Sequence, residues 1–102
     1  MNEQTDLRTR LNAETARLPW RELERHFARG ALVTVDPGLD LIEVAASMAE
    51  DNTARVQDWL GSNRIRRTLA EEASRWSAEQ SELWCVVVAP WVLVQPAKPG
   101  RA

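Results

Sequence analysis

Leucines recur at helical spacing between charged residues over residues 3–17, which predicts an amphipathic helix. Pro19 ends this helix and opens a second one over residues 20–29, because proline is tolerated in the first turn of a helix. The ALVTV run of residues 31–35 is short and rich in β-branched residues, and it predicts a strand. The chain therefore begins with two helices followed by a strand.

The middle of the chain predicts two short helices joined by a tight turn. The first helix follows Asp40 and is apolar around most of its girth, so we expect it at the centre of the core. Asp40 and Glu43 have the spacing of a capping box at its start. A second helix is predicted over residues 53–60, and residues 64–67 follow as a short edge strand whose arginines discourage edge pairing.

The last third of the chain contains one more helix and the strongest strand signal. Thr68 and Glu71 repeat the capping-box spacing and predict a helix to about Ala78. The run LWCVVVAPWVLVQ, residues 83–95, is apolar in both alternation phases, so both of its faces should be covered. Pro90 leaves two alternatives open, one kinked strand or a hairpin of two strands.

The order of these elements predicts a single α+β domain over residues 1–95, with residues 96–102 as a disordered tail. Four to five helices should pack on a small sheet. A helix, a short strand, a central helix, a tight turn, a second short helix and then strands is also the order of a winged helix-turn-helix.

Composition narrows the functional classes. A chain of 102 residues with 44% hydrophobic residues and a net charge of -2 can bury one core and is not expected to be disordered. One Cys and one His exclude an internal disulfide and a structural zinc set, so no metal or cofactor is expected. The longest apolar stretch is far below the roughly 20 residues of a membrane span. The expected location is the cytoplasm, without a membrane partner.

Tryptophan is over-represented, with five Trp beside one Phe and no Tyr. The five come from every part of the chain, which is what a single shared core would require. We expect Trp59, Trp84, Val87 and Leu93 to be core residues, and Cys85 to be an inert buried thiol within the same apolar run.

Charge argues against nucleic acid as a partner. Most nonspecific affinity for DNA comes from lysine and arginine on phosphates. Residues 31–60, which contain the helix-turn-helix-like pair, hold one Arg against six acidic residues. Binding to DNA is therefore the alternative function and not the first. An enzyme is not expected either, because no nucleophile context or glycine-rich phosphate loop is present and helix capping accounts for Asp36, Asp40 and Glu43.

Several segments resemble a small, uncharacterised bacterial family of unknown function. They are LNAETARLPW, VDPGLDLIEVA, VQDWL and above all PWVLVQ, and the similarity extends from about residue 11 to residue 95. The resemblance implies a complete, free-standing cytoplasmic protein. It brings no established activity, ligand or catalytic residue with it.

Polar residues within the family-like segments, and tryptophans beside prolines, are the candidate binding residues. They are Asn12, Glu14, Thr15, Arg17, Trp20, Arg29, Trp91 and Gln95. Helix capping or buried hydrogen bonding is the alternative role for the polar ones. The sequence thus predicts a non-enzymatic module that binds an unidentified protein. A homodimer or other small oligomer is also predicted, because few helices are available to cover the apolar strand; covering by the chain's own helices is the alternative.

Overall fold

A computed structural model of the chain describes the backbone of residues 3–97 and the side chains of residues 6–97. Five helices and five strands are formed over this part of the chain. The helices are α1 (Glu3–Glu14), α2 (Trp20–Ala28), α3 (Leu41–Ala49), α4 (Thr53–Gly61) and α5 (Ala70–Glu79), and the strands are β1 (Ala16–Pro19), β2 (Leu32–Val35), β3 (Ile65–Arg67), β4 (Glu82–Val88) and β5 (Trp91–Pro96). The predicted α+β class is confirmed.

The strands form one mixed sheet with the order β1-β4-β5-β2-β3. β2 and β5 are parallel, and the other neighbouring pairs are antiparallel. The apolar run of residues 83–95 is a hairpin, because β4 and β5 pair with each other on either side of a turn at Ala89 and Pro90. The prediction of an edge strand rich in arginine is confirmed by β3.

Helices cover the sheet on both faces, and each face has its own hydrophobic cluster. The first cluster joins the sheet to α1, α3 and α4 and includes Val44, Trp59 and Leu93. The second joins it to α2 and α5 and includes Trp20 and Trp76. The expectation of one shared core is therefore wrong, because the sheet separates the tryptophans into two layers.

Strand β4 shows why its sequence is apolar in both phases. Leu83 and Cys85 face the second cluster, whereas Val86 faces the first. Two residues of this strand depart from the predicted core: Trp84 is 40% exposed and Val87 is 57% exposed. The helices cover β4 only in part, so its apolar pattern overstates its burial.

Strand β1 differs from the prediction of a first helix that continues to residue 17. The helix ends at Glu14, and the Thr15 hydroxyl donates to the carbonyl oxygen of Leu11 at 2.8 Å. Pro19 favours extended backbone at Leu18, since the residue before a proline is disfavoured in the helical region. The four residues of β1 then pair with β4 at the edge of the sheet.

The start of α3 combines a helix cap with an ion-pair network. The Asp40 carboxylate accepts hydrogen bonds from the backbone N–H groups of Ile42 and Glu43, so the predicted cap is present. The Glu43 carboxylate instead binds Arg8 of α1 at 2.7 Å and Arg55 of α4 at 3.5 Å. The hydrogen bond from Arg8 is the main reason that the pKa of Glu43 lies below its ordinary value. This network ties three helices together.

Helix α5 begins one residue later than a capping box of Thr68 and Glu71 would place it. Leu69 precedes the helix, and its backbone N–H donates to the Glu72 carboxylate at 3.0 Å. Thr68 is unavailable as a cap because its hydroxyl is hydrogen-bonded to that of Thr34 at 2.8 Å. The capping box predicted for Thr68 and Glu71 is therefore wrong, and a buried polar contact between β2 and the residue after β3 replaces it.

The winged helix-turn-helix order is not confirmed. α3 and α4 do form a pair joined by a tight turn, and α4 contacts β3. The hairpin that would be the wing, however, lies inside the five-stranded sheet, between β1 and β2. β5 runs to Pro96, the first residue of the predicted tail, and residues 98–102 of that tail lie outside the described residues.

Candidate functional site

Three of the polar candidates from the sequence meet around one exposed tryptophan. Asn12 near the end of α1, Thr15 and Gln95 of β5 line a cleft of about 340 Å³ beside Trp84. Register explains two of these neighbours, because Trp84 and Gln95 are directly opposite each other in the β4–β5 pair and therefore share a face of the sheet. The start of α3, including Ile42, forms the other wall.

Arg17 flanks the same tryptophan from the other side. It lies opposite Trp84 in the β1–β4 pair, and its guanidinium carbon is 5.8 Å from the centre of the Trp84 ring. Its Nε donates to the Glu82 carboxylate at 2.8 Å, which holds the guanidinium over the strand. We call the set Asn12, Thr15, Arg17, Trp84 and Gln95 the Trp84 surface.

Gln95 has a positioning role within this surface. Its side-chain Nε2 donates to the carbonyl oxygens of Asp36 at 2.9 Å and Leu39 at 2.7 Å. These two hydrogen bonds fix the loop before α3 to β5. The alternative role of the polar candidates, that of a hydrogen-bond partner within the fold, therefore applies to the partly buried Gln95.

The remaining sequence candidates lie elsewhere. Glu14 is exposed at the end of α1, outside the residues that line the cleft. Trp20 is 4% exposed and packs in the second cluster on the opposite face. Arg29 donates a hydrogen bond to Nδ1 of His26. Trp91 lies at the start of β5, beside α4. The eight candidate binding residues thus do not form one site.

Burial shifts the pKa values of His26 and Cys85. Burial, followed by the charges of Arg29 and Arg25, lowers the pKa of His26 below its ordinary value. Burial raises the pKa of the Cys85 thiol. Over the part of the chain that the structure describes, no three His, Cys, Asp or Glu residues come together as a metal site.

We expect Cys85 to react slowly with thiol reagents in the folded protein. The thiol is buried, and its raised pKa keeps the reactive thiolate scarce at neutral pH. Labelling with a chromogenic disulfide reagent should proceed at least about a hundredfold more slowly in buffer than in denaturant, because reaction requires opening of the structure. Equal rates in the two solvents would contradict the buried position.

Sequence reasoning missed Trp84 as a site residue. The LWCVVVA run predicts burial for every member, and no local signal separates the exposed tryptophan from the buried leucine beside it. The ion pair between Arg17 and Glu82, beside Trp84, is the signal that this part of β4 meets solvent. Their pairing becomes visible only once β1 is recognised as a strand.

Comparisons with known proteins agree with the fold and assign no activity. A family model described as "Protein of unknown function (DUF2288)" matches residues 6–96. The chain is similar to PA1075 from Pseudomonas aeruginosa, whose solution structure was solved by NMR: the two are 40% identical, with a TM-score of 0.81 over 100% of this chain and 95% of that one. None of the curated proteins matches the chain. No helix in the described part of the chain is both long and apolar enough to cross a membrane.

Proposed function

The chain belongs to the DUF2288 family of proteins of unknown function, and we propose from its geometry that it is a non-enzymatic protein-binding module. The Trp84 surface is its binding site, and an extended segment of another polypeptide is its ligand. The observation that carries this proposal is a 40% exposed tryptophan, flanked by Arg17 and Gln95, next to an open sheet edge.

An exposed tryptophan with fixed neighbours is a typical binding hot spot, since tryptophan and arginine dominate the affinity of many interfaces. The side chain of Trp84 is held between its cross-strand neighbours Arg17 and Gln95. Hydrogen bonds from Gln95 and the ion pair of Arg17 with Glu82 reduce the motion of those neighbours. A partner would therefore meet a partly preorganised surface.

The open edge of β1 supports an extended partner. β1 pairs with β4 on one side, and no described strand pairs with its other side. An extended peptide can add to such an edge through backbone hydrogen bonds. β1 is only four residues long and ends in Pro19, so few such bonds are available. Contact with Trp84 would have to supply much of the affinity and the specificity.

The chemistry of the Trp84 surface supports binding without catalysis. Asp40, the carboxylate in the cleft wall, caps α3. Neither Asn12 nor Thr15 stands next to a histidine or lysine in the cleft lining. A nucleophile needs an adjacent base or a lowered pKa. We propose accordingly that the protein is not an enzyme, and we retain the cytoplasm as its location because a free buried thiol suits a reducing compartment.

DNA binding was the alternative function, and neither the fold nor the comparisons support it. Arg55 is the single arginine of residues 31–60, and it is engaged by Glu43 and by the ring of Trp59 at 4.8 Å. We expect no sub-micromolar binding to a random duplex at about 150 mM salt, where the Debye length is about 8 Å. Fluorescence anisotropy measures this. Tight binding that Arg55→Glu abolishes would restore the DNA hypothesis.

The homodimer remains a prediction. The sequence argument for it is a shortage of helices to cover the apolar strand; helices lie on both faces of the sheet but leave Trp84 and Val87 of β4 exposed. The open edge of β1 is a further argument, because two copies could pair there; another protein would then compete with the second copy for the same edge. At tens of micromolar, light scattering should give the mass of two chains. A mass of one chain for the wild type would contradict the homodimer without affecting a binding site for another protein.

Position-specific cross-linking tests the proposed function. A photoreactive phenylalanine derivative is placed at Asn12 or Arg17, and at Ser74 on α5 as a control, because Ser74 is exposed on the opposite side of the sheet. We expect discrete cross-links to another polypeptide from positions 12 and 17 in host cells, lost when Trp84 is also replaced by alanine. Equal cross-linking from position 74, or cross-links indifferent to Trp84, would contradict the proposal.

A further inference from the structure

A second cavity lies on the same face of the sheet, at its other end and away from the Trp84 surface. It lies between α4 and the start of β5 and has a volume of about 280 Å³. Its lining is almost entirely apolar and consists of Val33, Met48, Val56, Leu60, Ile65 and Trp91, with Arg66 and Arg67 at β3. We call it the α4 pocket.

The walls of the α4 pocket are partly fixed and partly open. Val33 and Ile65 are buried sheet residues, 7% and 2% exposed, so the floor is rigid. Leu60 on α4, in contrast, is 52% exposed. Four residues of the α4 pocket also line a neighbouring cleft of about 400 Å³: Met48, Val56, Leu60 and Trp91. An apolar group would find a preformed surface here.

Arg67 supplies a cation at the edge of this apolar pocket. Its guanidinium carbon is 5.2 Å from the centre of the Trp91 ring, within the range of a cation–π contact. Arg66, the other arginine at the pocket, is ion-paired with Glu72. No ion pair joins Arg67 to any residue whose side chain is described. A guanidinium stacked on a ring still has N–H groups in its own plane that can bind a carboxylate.

From this juxtaposition we propose that the α4 pocket binds a small amphipathic carboxylate. The apolar body of the ligand lies against Val56, Leu60 and Trp91, and its carboxylate accepts hydrogen bonds from Arg67. The volume sets the size of the ligand: a dry cavity of about 150 Å³ holds benzene, so about 280 Å³ suits a body of one to two rings or a medium-length alkyl chain.

The binding mode predicts a charge preference. A purely apolar pocket would bind octanoate, octanol and octylamine with similar affinity, because their alkyl chains are the same. An arginine at its edge raises the affinity for the carboxylate and lowers the affinity for the ammonium group. The dissociation constant of octanoate should be about 1 mM or lower, in keeping with the modest ligand efficiency of small ligands.

The test is a titration of the full chain, followed by two-dimensional NMR, with octanoate as the probe and octylamine as its charge-reversed match. We expect saturable shifts with octanoate at Val56, Leu60, Arg67 and Trp91, and none of comparable affinity with octylamine. Arg67→Gln should weaken octanoate about tenfold. Arg75→Gln is the control, since Arg75 is an exposed residue of α5 that does not line the pocket.

Each possible outcome of the titration is decisive. Equal affinity for octanoate and octylamine, an unchanged affinity in Arg67→Gln, or shifts without saturation would each overturn the proposal. Shifts centred on Trp84 would also overturn it, because they would place the ligand at the other site. Failure here leaves the protein-binding proposal intact, since the Trp84 surface and the α4 pocket have no residue in common.

Discussion

Replacing Leu83 by alanine is expected to lower the free energy of unfolding by about 3 to 4 kcal/mol, within the range for deleting a fully buried leucine. Leu83 is 0% exposed and packs in the second cluster, between β1 and β5. Val87→Ala in the same strand should cost about 0.5 kcal/mol or less, because Val87 is 57% exposed. Urea denaturation of the two variants measures the difference between their free energies of unfolding. The slope of that free energy against urea concentration should be the same as in the wild type.

The two residues form a matched pair because they share one alternation phase of β4. A pattern of alternation alone predicts similar burial for both. The structure separates them because β1 begins at Ala16, opposite Cys85, so Val87 lies beyond the strand that flanks Leu83. Comparable losses of stability in the two variants would contradict the register of β1 against β4, and with it the exposure of Trp84.

Much of the architecture follows from local patterns. The helix at Asp40, the short helix at Thr53, the edge strand with its arginines and the apolar strands all occur where periodicity and capping chemistry predict them. These features depend on residues close together in the sequence. Strand β1 does not, because Ala16 to Pro19 is extended through its pairing with β4 and through Pro19, although its composition also suits a helix.

The candidate site was predictable only in part. Asn12, Arg17 and Gln95 were selected as polar residues within family-like segments, and the structure brings them around Trp84. Trp20 was selected for its neighbouring proline, but it packs in the second cluster. The pairing of β1, β4 and β5 brings residues 17, 84 and 95 together. Such long-range pairing cannot be predicted from spacing along the sequence.

Truncating Trp84 to alanine is expected to weaken binding of the partner about thirtyfold, which corresponds to a hot spot of about 2 kcal/mol. Trp84 supplies the exposed apolar area between Arg17 and Gln95. Its truncation to alanine removes the apolar surface against which the partner would pack. The folded state should tolerate the change better than it tolerates Leu83→Ala, because Trp84 is 40% exposed.

The measurement that tests the account most directly is the affinity of the polypeptide identified by cross-linking for three purified proteins: the wild type, Trp84→Ala and Val87→Ala. Trp84 and Val87 are both exposed apolar residues of β4, on opposite faces of the sheet, so each variant controls for the other. Isothermal titration calorimetry should show the thirtyfold loss for Trp84→Ala and no change for Val87→Ala. Equal affinities for all three proteins, or a loss confined to Val87→Ala, would contradict the assignment of the Trp84 surface as the binding site.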